Sequence, residues 1–284
     1  MYDLAAVEAA LAGSIFTGKL HFSAVTNSTN IDALEAARAG AAHGSVYLAD
    51  EQLAGRGRGD HAWQSPAGKG LYVSVLLRPS MPARRLTLLP LAAGLAAADA
   101  VRAVTGLSID QRWPNDLLLG ERKLGGILVE SKTTAGKVAF AVVGIGINVH
   151  QREFDKGLPT PATSLDLETG VPGDRSSSPG WEAGRHIHRQ NLLVSLLESL
   201  EHEAHGLLDP AAAKAVPRRV EEASTWVRGR RVEVHGPQAC TGVSAGLDER
   251  GFLLVRTDAG LVTVRTGGIR AAETIGESPQ ELMF

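Results

Sequence analysis

Apolar positions along the chain change their period several times, and each change predicts an element. Short runs rich in Val, Leu and Ile at 45–49, 71–77, 127–130 and 138–143 predict strands. Between them, 29–40 and 88–104 combine helical spacing with abundant alanine and predict helices. Leu4, Val7, Leu11 and Ile15 fall on a similar helical face, so residues 1–17 predict an amphipathic helix. That stretch lacks the cationic start and long apolar run of a signal peptide. Gly120-Glu121, between two apolar runs, predicts a hairpin. Residues 186–208 predict a long helix, with Leu192, Leu193, Leu196, Leu197 and Leu200 on one face. From about Gly229 the pattern becomes an alternation: Val232, Val234, Val243, Leu253, Val255, Val262 and Val264 are interleaved with polar residues. Turn signals at Gly236-Pro237, Glu249-Arg250-Gly251 and Asp258-Ala259-Gly260 divide it. Short strands of this kind, over about 45 residues, predict a barrel-like domain.

The length of 284 residues accommodates one substantial domain and a small one, here 1–228 and 229–284, with a Gly/Ser/Pro-rich loop at about 170–184. Hydrophobic residues at 44% and charged residues at 21% argue against wholesale disorder. The net charge of -2 argues against a nucleic-acid binder, which is usually clearly basic. A single cysteine, Cys240, excludes an internal disulfide and a multi-cysteine metal site, and fits a reducing cytosol. No run approaches the roughly 20 apolar residues of a membrane helix. The stretch 86–104 comes closest, but it carries Pro90, Asp99 and Arg102 and reads as a buried helix. A soluble, cytoplasmic protein is expected.

Three segments carry chemistry. In Gln52-Leu53-Ala54-Gly55-Arg56-Gly57-Arg58-Gly59, glycines let the backbone approach a ligand while two guanidiniums offer planar forks of donors to carboxylate or phosphate oxygens. A flexible surface loop or an arginine–glycine tract is the bland alternative. Arg112-Trp113-Pro114-Asn115-Asp116 reads as a strand end, followed by Lys123-Leu124-Gly125-Gly126-Ile127-Leu128-Val129-Glu130. Lys123, just before two glycines and a strand, can reach a nearby anion; alone, it also reads as a solvated lysine, and Asp116 as a turn residue. Val143-Gly144-Ile145-Gly146-Ile147-Asn148 lacks the third glycine of a dinucleotide fingerprint. Its glycines suggest close backbone approach, and Asn148 needs a partner, either a nucleotide or a structural one.

These segments, with Ser28-Thr29-Asn30, Trp63, Ser65-Pro66 and Gly68 in the same order and spacing, resemble the biotin–protein ligase family. The resemblance implies an α+β fold, with a mixed β-sheet catalytic domain flanked by helices and a small C-terminal SH3-like β-barrel. It implies biotin and ATP as substrates, an acyl-adenylate intermediate, and magnesium. Ser28, Thr29 and Gln52 would meet the ureido end of biotin, with Asn30, Gly55, Arg56 and Gly125 also in the biotin site. Arg58 and Lys123 would be catalytic, facing both the biotin carboxylate and the ATP α-phosphate. Trp63 would pack beside adenine, Asn115 and Asn148 would lie near the nucleotide, and Asp116 would help hold magnesium. Where the family's loop often continues with glycine and arginine, this chain has Asp60 and His61.

The implied partner is a biotin carboxyl carrier protein, the acetyl-CoA carboxylase subunit. It should be a separate protein, since Met1, Met81 and Met283 build no Met-Lys-Met acceptor. Only about 27 residues precede Ser28, too few for a winged helix-turn-helix, so the short form without specific DNA binding is expected, as monomer or homodimer. The competing readings are a lipoate ligase of related fold, a sensor of the adenylate, and an RNA binder using Gly-Arg repeats.

Overall fold

In the computed structural model, which describes residues 2–59, 61–170 and 187–272, the chain opens on helix α1 (Leu4–Ala10), capped by Asp3, whose carboxylate accepts from the Ala6 N–H. The expected helix to residue 17 stops there for two reasons. Gly13 takes a positive φ of 86°, and the Ser14 and Thr17 hydroxyls both donate to the Leu11 carbonyl in place of a further turn. Next come strand β1 (Leu20–Thr26), helix α2 (Thr29–Arg38) and strands β2 (Ser45–Gln52) and β3 (Gly70–Leu77). A 3-10 segment then leads into α3 (Leu89–Thr105).

Strands β4 (Asp110–Arg112) and β5 (Asp116–Leu119) precede the long hairpin of β6 (Arg122–Thr134) and β7 (Lys137–Asn148). Gly120 and Glu121 join β5 to β6 as the pattern predicts. Strands β6 and β7 both outrun the predicted runs, with 122–126 and 131–134 extending β6 and 144–148 extending β7. Lys123 consequently lies within β6 and not ahead of it. Helices α4 (Leu165–Glu168), α5 (Arg189–Gly206) and α6 (Pro210–Ala223) follow. The expected loop at 171–184 and the first residue of the expected helix at 186 lie outside the described residues. Helix α6 was not visible in the apolar pattern. It starts where Asp209 accepts from the Ala211 and Ala212 N–H groups ahead of Pro210, and it carries Pro217 inside.

The first sheet has seven strands in the order β1-β2-β3-β7-β6-β5-β4 and is mixed. Strands β1 and β2 are parallel, and the remaining pairs are antiparallel. Alternation along β3 and β7 divides its two faces. Leu71, Val73, Val75 and Leu77, with Val143, Ile145 and Ile147, enter the main core together with α3 and α5. Leu76 and Val142, on the other face, meet Ala33, Leu34 and Ala37 of α2 in a small second core. Helix α2 covers only part of that face. One helical segment, Ala83–Thr105, is long and apolar enough to cross a membrane by length and composition, with a mean hydropathy of 1.4, yet 61% of that window is buried in the fold.

From Arg228 the chain forms β8 (Arg228–His235), β9 (Cys240–Leu247), β10 (Leu253–Thr257), β11 (Gly260–Val264) and β12 (Gly268–Ala271), an antiparallel sheet in the order β11-β10-β9-β8-β12. All three predicted turn sites separate strands, whereas β12, four residues long, was not anticipated. This sheet shares its apolar interior with the first, since Val232, Val234, Leu253 and Val255 belong to the same core cluster as α3. Polar contacts close the seam. The Trp113 Nε1–H donates to the Gly251 carbonyl at 3.0 Å, the Thr87 hydroxyl donates to the Arg250 carbonyl at 2.7 Å, and the Arg230 guanidinium stacks 3.5 Å from the Trp226 ring while pairing with Glu121.

Candidate active site

The face of the first sheet that α2 leaves open is the floor of a cleft of about 800 Å³, the size of a small-molecule site. The Gly-Arg loop, the β4–β5 connection, residues 151–162 and two connections of the second sheet form its walls. Two bare positions in β7 make the floor. A Cβ on Gly144 would overlap the Asn30 amide, and one on Gly146 would lie 2.5 Å from Trp63 Nε1. The two glycines of the Gly-Ile-Gly-Ile-Asn segment are thus seats for two other cleft residues.

One end of the cleft is a relay of neutral polar groups. The Thr29 N–H donates to Gln52 Oε1 at 2.9 Å, Thr29 Oγ1 lies 2.8 Å from Ser74 Oγ, and Ser74 Oγ donates to Asn30 Oδ1 at 2.6 Å. Gln52 Nε2 donates in turn to Ser65 Oγ at 2.7 Å. Asn30 Nδ2 donates at 3.0 Å to Glu130, the carboxylate that also receives both terminal nitrogens of Arg56, at 3.0 and 3.1 Å. Ser28, buried at the head of α2, lines the cleft and makes no side-chain cap bond.

The other end is cationic. Lys123 Nζ lies 2.6 Å from Asp116 Oδ1 and 5.6 Å from the centre of the Trp63 ring. Arg112 Nη2 takes Asp116 Oδ2 at 2.6 Å and also donates to Thr160 Oγ1 at 2.9 Å. Burial alone would raise the Asp116 carboxyl; Lys123 and Arg112 overcome it and hold the group below the usual carboxylate range. Arg58 lines the same cleft, with its guanidinium donating to Thr266 Oγ1 at 3.1 Å and to the Gly267 carbonyl, both in the second sheet's β11–β12 connection. Burial pulls its pKa down, opposed by the Asp116 charge.

The fold gathers most of the expected site. Ser28, Thr29, Asn30, Gln52, Arg56 and Arg58 line the cleft, as do Trp63, Asn115, Asp116, Lys123 and Asn148. Gly55 and Gly125 do not. A Cβ on Gly55 would strike the Trp63 carbonyl and the Ser65 hydroxyl, and one on Gly125 would lie 2.5 Å from the Gly146 carbonyl, so both positions are too closely packed for a side chain. Asn115 Nδ2 donates to the Ile127 carbonyl at 3.0 Å, and Asn148 Nδ2 donates to the Thr163 carbonyl at 2.9 Å. Each asparagine thereby has a structural partner and keeps Oδ1 as an acceptor.

Asp116 does not fit a magnesium ligand. Both of its oxygens hold cations already, and among the described residues no group of three or more His, Cys, Asp or Glu is placed to hold a metal. His61 lies at the cleft, its carbonyl accepting from the Gly57 N–H; Asp60 is outside the described residues. Arg112, Glu130, Thr160 and His235 were missed as site residues. The first two stood in the quoted segments; Glu130 carries no signal until Arg56 and Asn30 arrive from elsewhere, whereas Arg112 meets Asp116 only four residues on, within its own segment.

Comparison with known proteins agrees with this geometry. The biotin/lipoate A/B protein ligase family matches residues 22–148, and the biotin protein ligase C-terminal domain matches residues 228–269. The bifunctional ligase/repressor BirA of Bacillus spizizenii is 32% identical over 257 residues, covering 88% of this chain and 73% of the relative. The biotin--[acetyl-CoA-carboxylase] ligase of Mycobacterium tuberculosis is 32% identical over 258 residues, 88% of each chain. The solved structure of the Aquifex aeolicus biotin protein ligase in complex with biotin and ATP superimposes with a TM-score of 0.70 at 28% identity, covering 89% of this chain and 98% of that one. With a cleft that is neutral at one end and cationic at the other, and relatives over nearly its whole described length, the chain belongs to the biotin–protein ligase family.

Proposed function

We propose that this protein activates biotin with ATP to biotinyl-5'-AMP and transfers the biotinyl group to a lysine of a biotin carboxyl carrier protein. The observation that carries this is the polarity of the cleft: hydrogen-bonding groups without charge at Ser28, Thr29, Asn30 and Gln52, and cations at Arg58, Arg112 and Lys123. Biotin is neutral at its ureido head and anionic at its carboxylate tail. Its tail must meet a polyanion, and the two repel until cations neutralise them.

In the first step a biotin carboxylate oxygen attacks the α-phosphorus of ATP, the new O–P bond forms, and the bond to the β-phosphate breaks to release pyrophosphate. Lys123 and Arg58 face the carboxylate and the α-phosphate and stabilise the charge that develops. Both are partnered now, Lys123 by Asp116 and Arg58 by Thr266 and Gly267. An incoming anion exchanges for those partners. Trp63 flanks adenine, and the free Oδ1 atoms of Asn115 and Asn148 accept from the nucleotide. Ser28, Thr29, Asn30 and Gln52 hold the ureido head, with Arg56 over it. No step is routed through a protein-bound magnesium. In the second step the carrier lysine amine attacks the mixed anhydride carbonyl, an amide forms and AMP leaves.

The reading further includes a catalytic domain over 1–228, a small C-terminal domain over 229–284 whose second sheet curls as an SH3-like barrel, an acetyl-CoA carboxylase carrier as partner, and a cytoplasmic location. Register shifts in β8–β9 and β9–β10 support the curling, because bulges bend strands. ATP–pyrophosphate exchange with purified protein, magnesium chloride and either biotin or lipoate tests the chemistry. Biotin-dependent exchange is expected. Exchange with lipoate alone would keep the fold and change the substrate, and exchange with neither would sink the enzyme.

A further inference from the structure

We infer that Glu130 is a positioning residue for biotin: it sets the direction of the hydrogen-bond relay in the ureido pocket and ties the Gly-Arg loop to it. This role rests on the ligase reading above. Glu130 is half-buried at a β6 position facing the cleft side of the sheet, across from Val142 on β7. Its two oxygens take both terminal nitrogens of Arg56, and one of them also takes Asn30 Nδ2 at 3.0 Å.

A carboxylate only accepts hydrogen bonds. Facing it, the Asn30 amide must present Nδ2 and turn Oδ1 the other way, towards Ser74. Ser74 has one proton and donates it to Asn30 Oδ1 at 2.6 Å, so its oxygen is an acceptor for Thr29 Oγ1 at 2.8 Å. The single Thr29 proton has two acceptors inside the protein, Ser74 Oγ and Gln52 Oε1 at 3.1 Å. With that proton directed inward, the Thr29 oxygen is left as an acceptor, which suits a ureido N–H. The charge of Glu130, two side chains away, thus decides what the pocket offers. The bare Gly144 beneath Asn30 leaves the amide room to lie in this arrangement. Arg56 on the same carboxylate brings the loop down over the relay, so pocket polarity and loop position share one anchor.

Glu130→Ala frees the Asn30 amide to flip and releases Arg56. Calorimetric titration of the variant with biotin, without nucleotide, is expected to show affinity weakened by about tenfold or more, the effect of one mispaired buried polar group. The KM for ATP in the exchange assay should move by less than about twofold, because Arg58, although on the same loop, keeps its own anchor at Thr266 and Gly267. Glu130→Gln keeps an oxygen for Asn30 Nδ2 and should recover most of the biotin affinity. Biotin binding by Glu130→Ala within about twofold of wild type, or an equal loss towards biotin and ATP, would overturn the role. Wild-type protein that binds no biotin would instead remove the ligase reading on which it rests.

Discussion

Lys123 keeps 29% of its side chain exposed, yet its ammonium sits 2.6 Å from a largely buried carboxylate. It is not the free surface lysine that its loop-like sequence context suggested. Lys123→Ala is expected to reduce biotin-dependent pyrophosphate exchange by about a hundredfold or more, the usual loss for a group acting on transition-state charge. Arg112 still pairs Asp116 in that variant, so the stability loss should stay near 1 kcal/mol, measured by urea unfolding. Asp116 is the more demanding position, since removing its charge strands two cations at once. Asp116→Asn should cost about 3 kcal/mol at pH 7. The Asp116 pKa is depressed in the fold. Its contribution is therefore present above the unfolded-state value, about 3.9, and is lost as pH falls through the lower folded value. Urea melts of wild type and Asp116→Asn should differ at neutral pH and converge below about pH 4.

At the scale of elements, the β6–β7 hairpin is the organising feature. It supplies Lys123 and Glu130 from β6 and the seats for Asn30 and Trp63 from β7. The two seats serve opposite ends of the cleft, which makes a paired prediction. Gly144→Ala displaces Asn30 and should raise the KM for biotin, whereas Gly146→Ala displaces Trp63 and should raise the KM for ATP. Each should destabilise by about 2 kcal/mol, since the new Cβ stands on a sheet backbone that cannot recede and the Asn30 or Trp63 side chain must be pushed away. Equal effects on both substrates in either variant would mean that the two seats are not separate. Strand β1 and helix α6 belong to this scale too. The half-exposed β1 carries no clean alternation, and α6 is started by Asp209 and Pro210 rather than by an apolar stripe.

Across the whole molecule, the second sheet completes the cleft. It supplies the wall at His235 and Pro237, and the Thr266 and Gly267 groups that hold Arg58. Its attachment passes through Trp113, whose ring is buried between the sheets and whose Nε1–H satisfies the Gly251 carbonyl. Trp113→Phe removes that donor and leaves a small void, and should cost about 2 kcal/mol in urea unfolding. Because one core cluster runs through both sheets, the loss should appear as an earlier single transition. An unfolding step confined to the second sheet would show that the seam is weaker than its contacts imply.

Local chemistry determined much of this in advance. Period and turn residues placed most strands, the two helices flanking the first sheet, the hairpin at Gly120-Glu121 and the turns of the second sheet, because those signals act within a few residues. Motif order brought out the residues that line the cleft, since loops bearing glycine, arginine and lysine must keep their chemistry in sequence to work together. Tertiary structure alone decided the rest. It paired Glu130 with Arg56 and Asn30, 74 and 100 residues away, and it seated Arg58 on Thr266 and Gly267, 208 and 209 residues away. It also gave Gly144 and Gly146 their meaning as the seats of Asn30 and Trp63. The physical reason is the same in each case: a charge or a missing Cβ has a meaning only when its neighbours in space are known, and the sheet order brings those neighbours from distant strands.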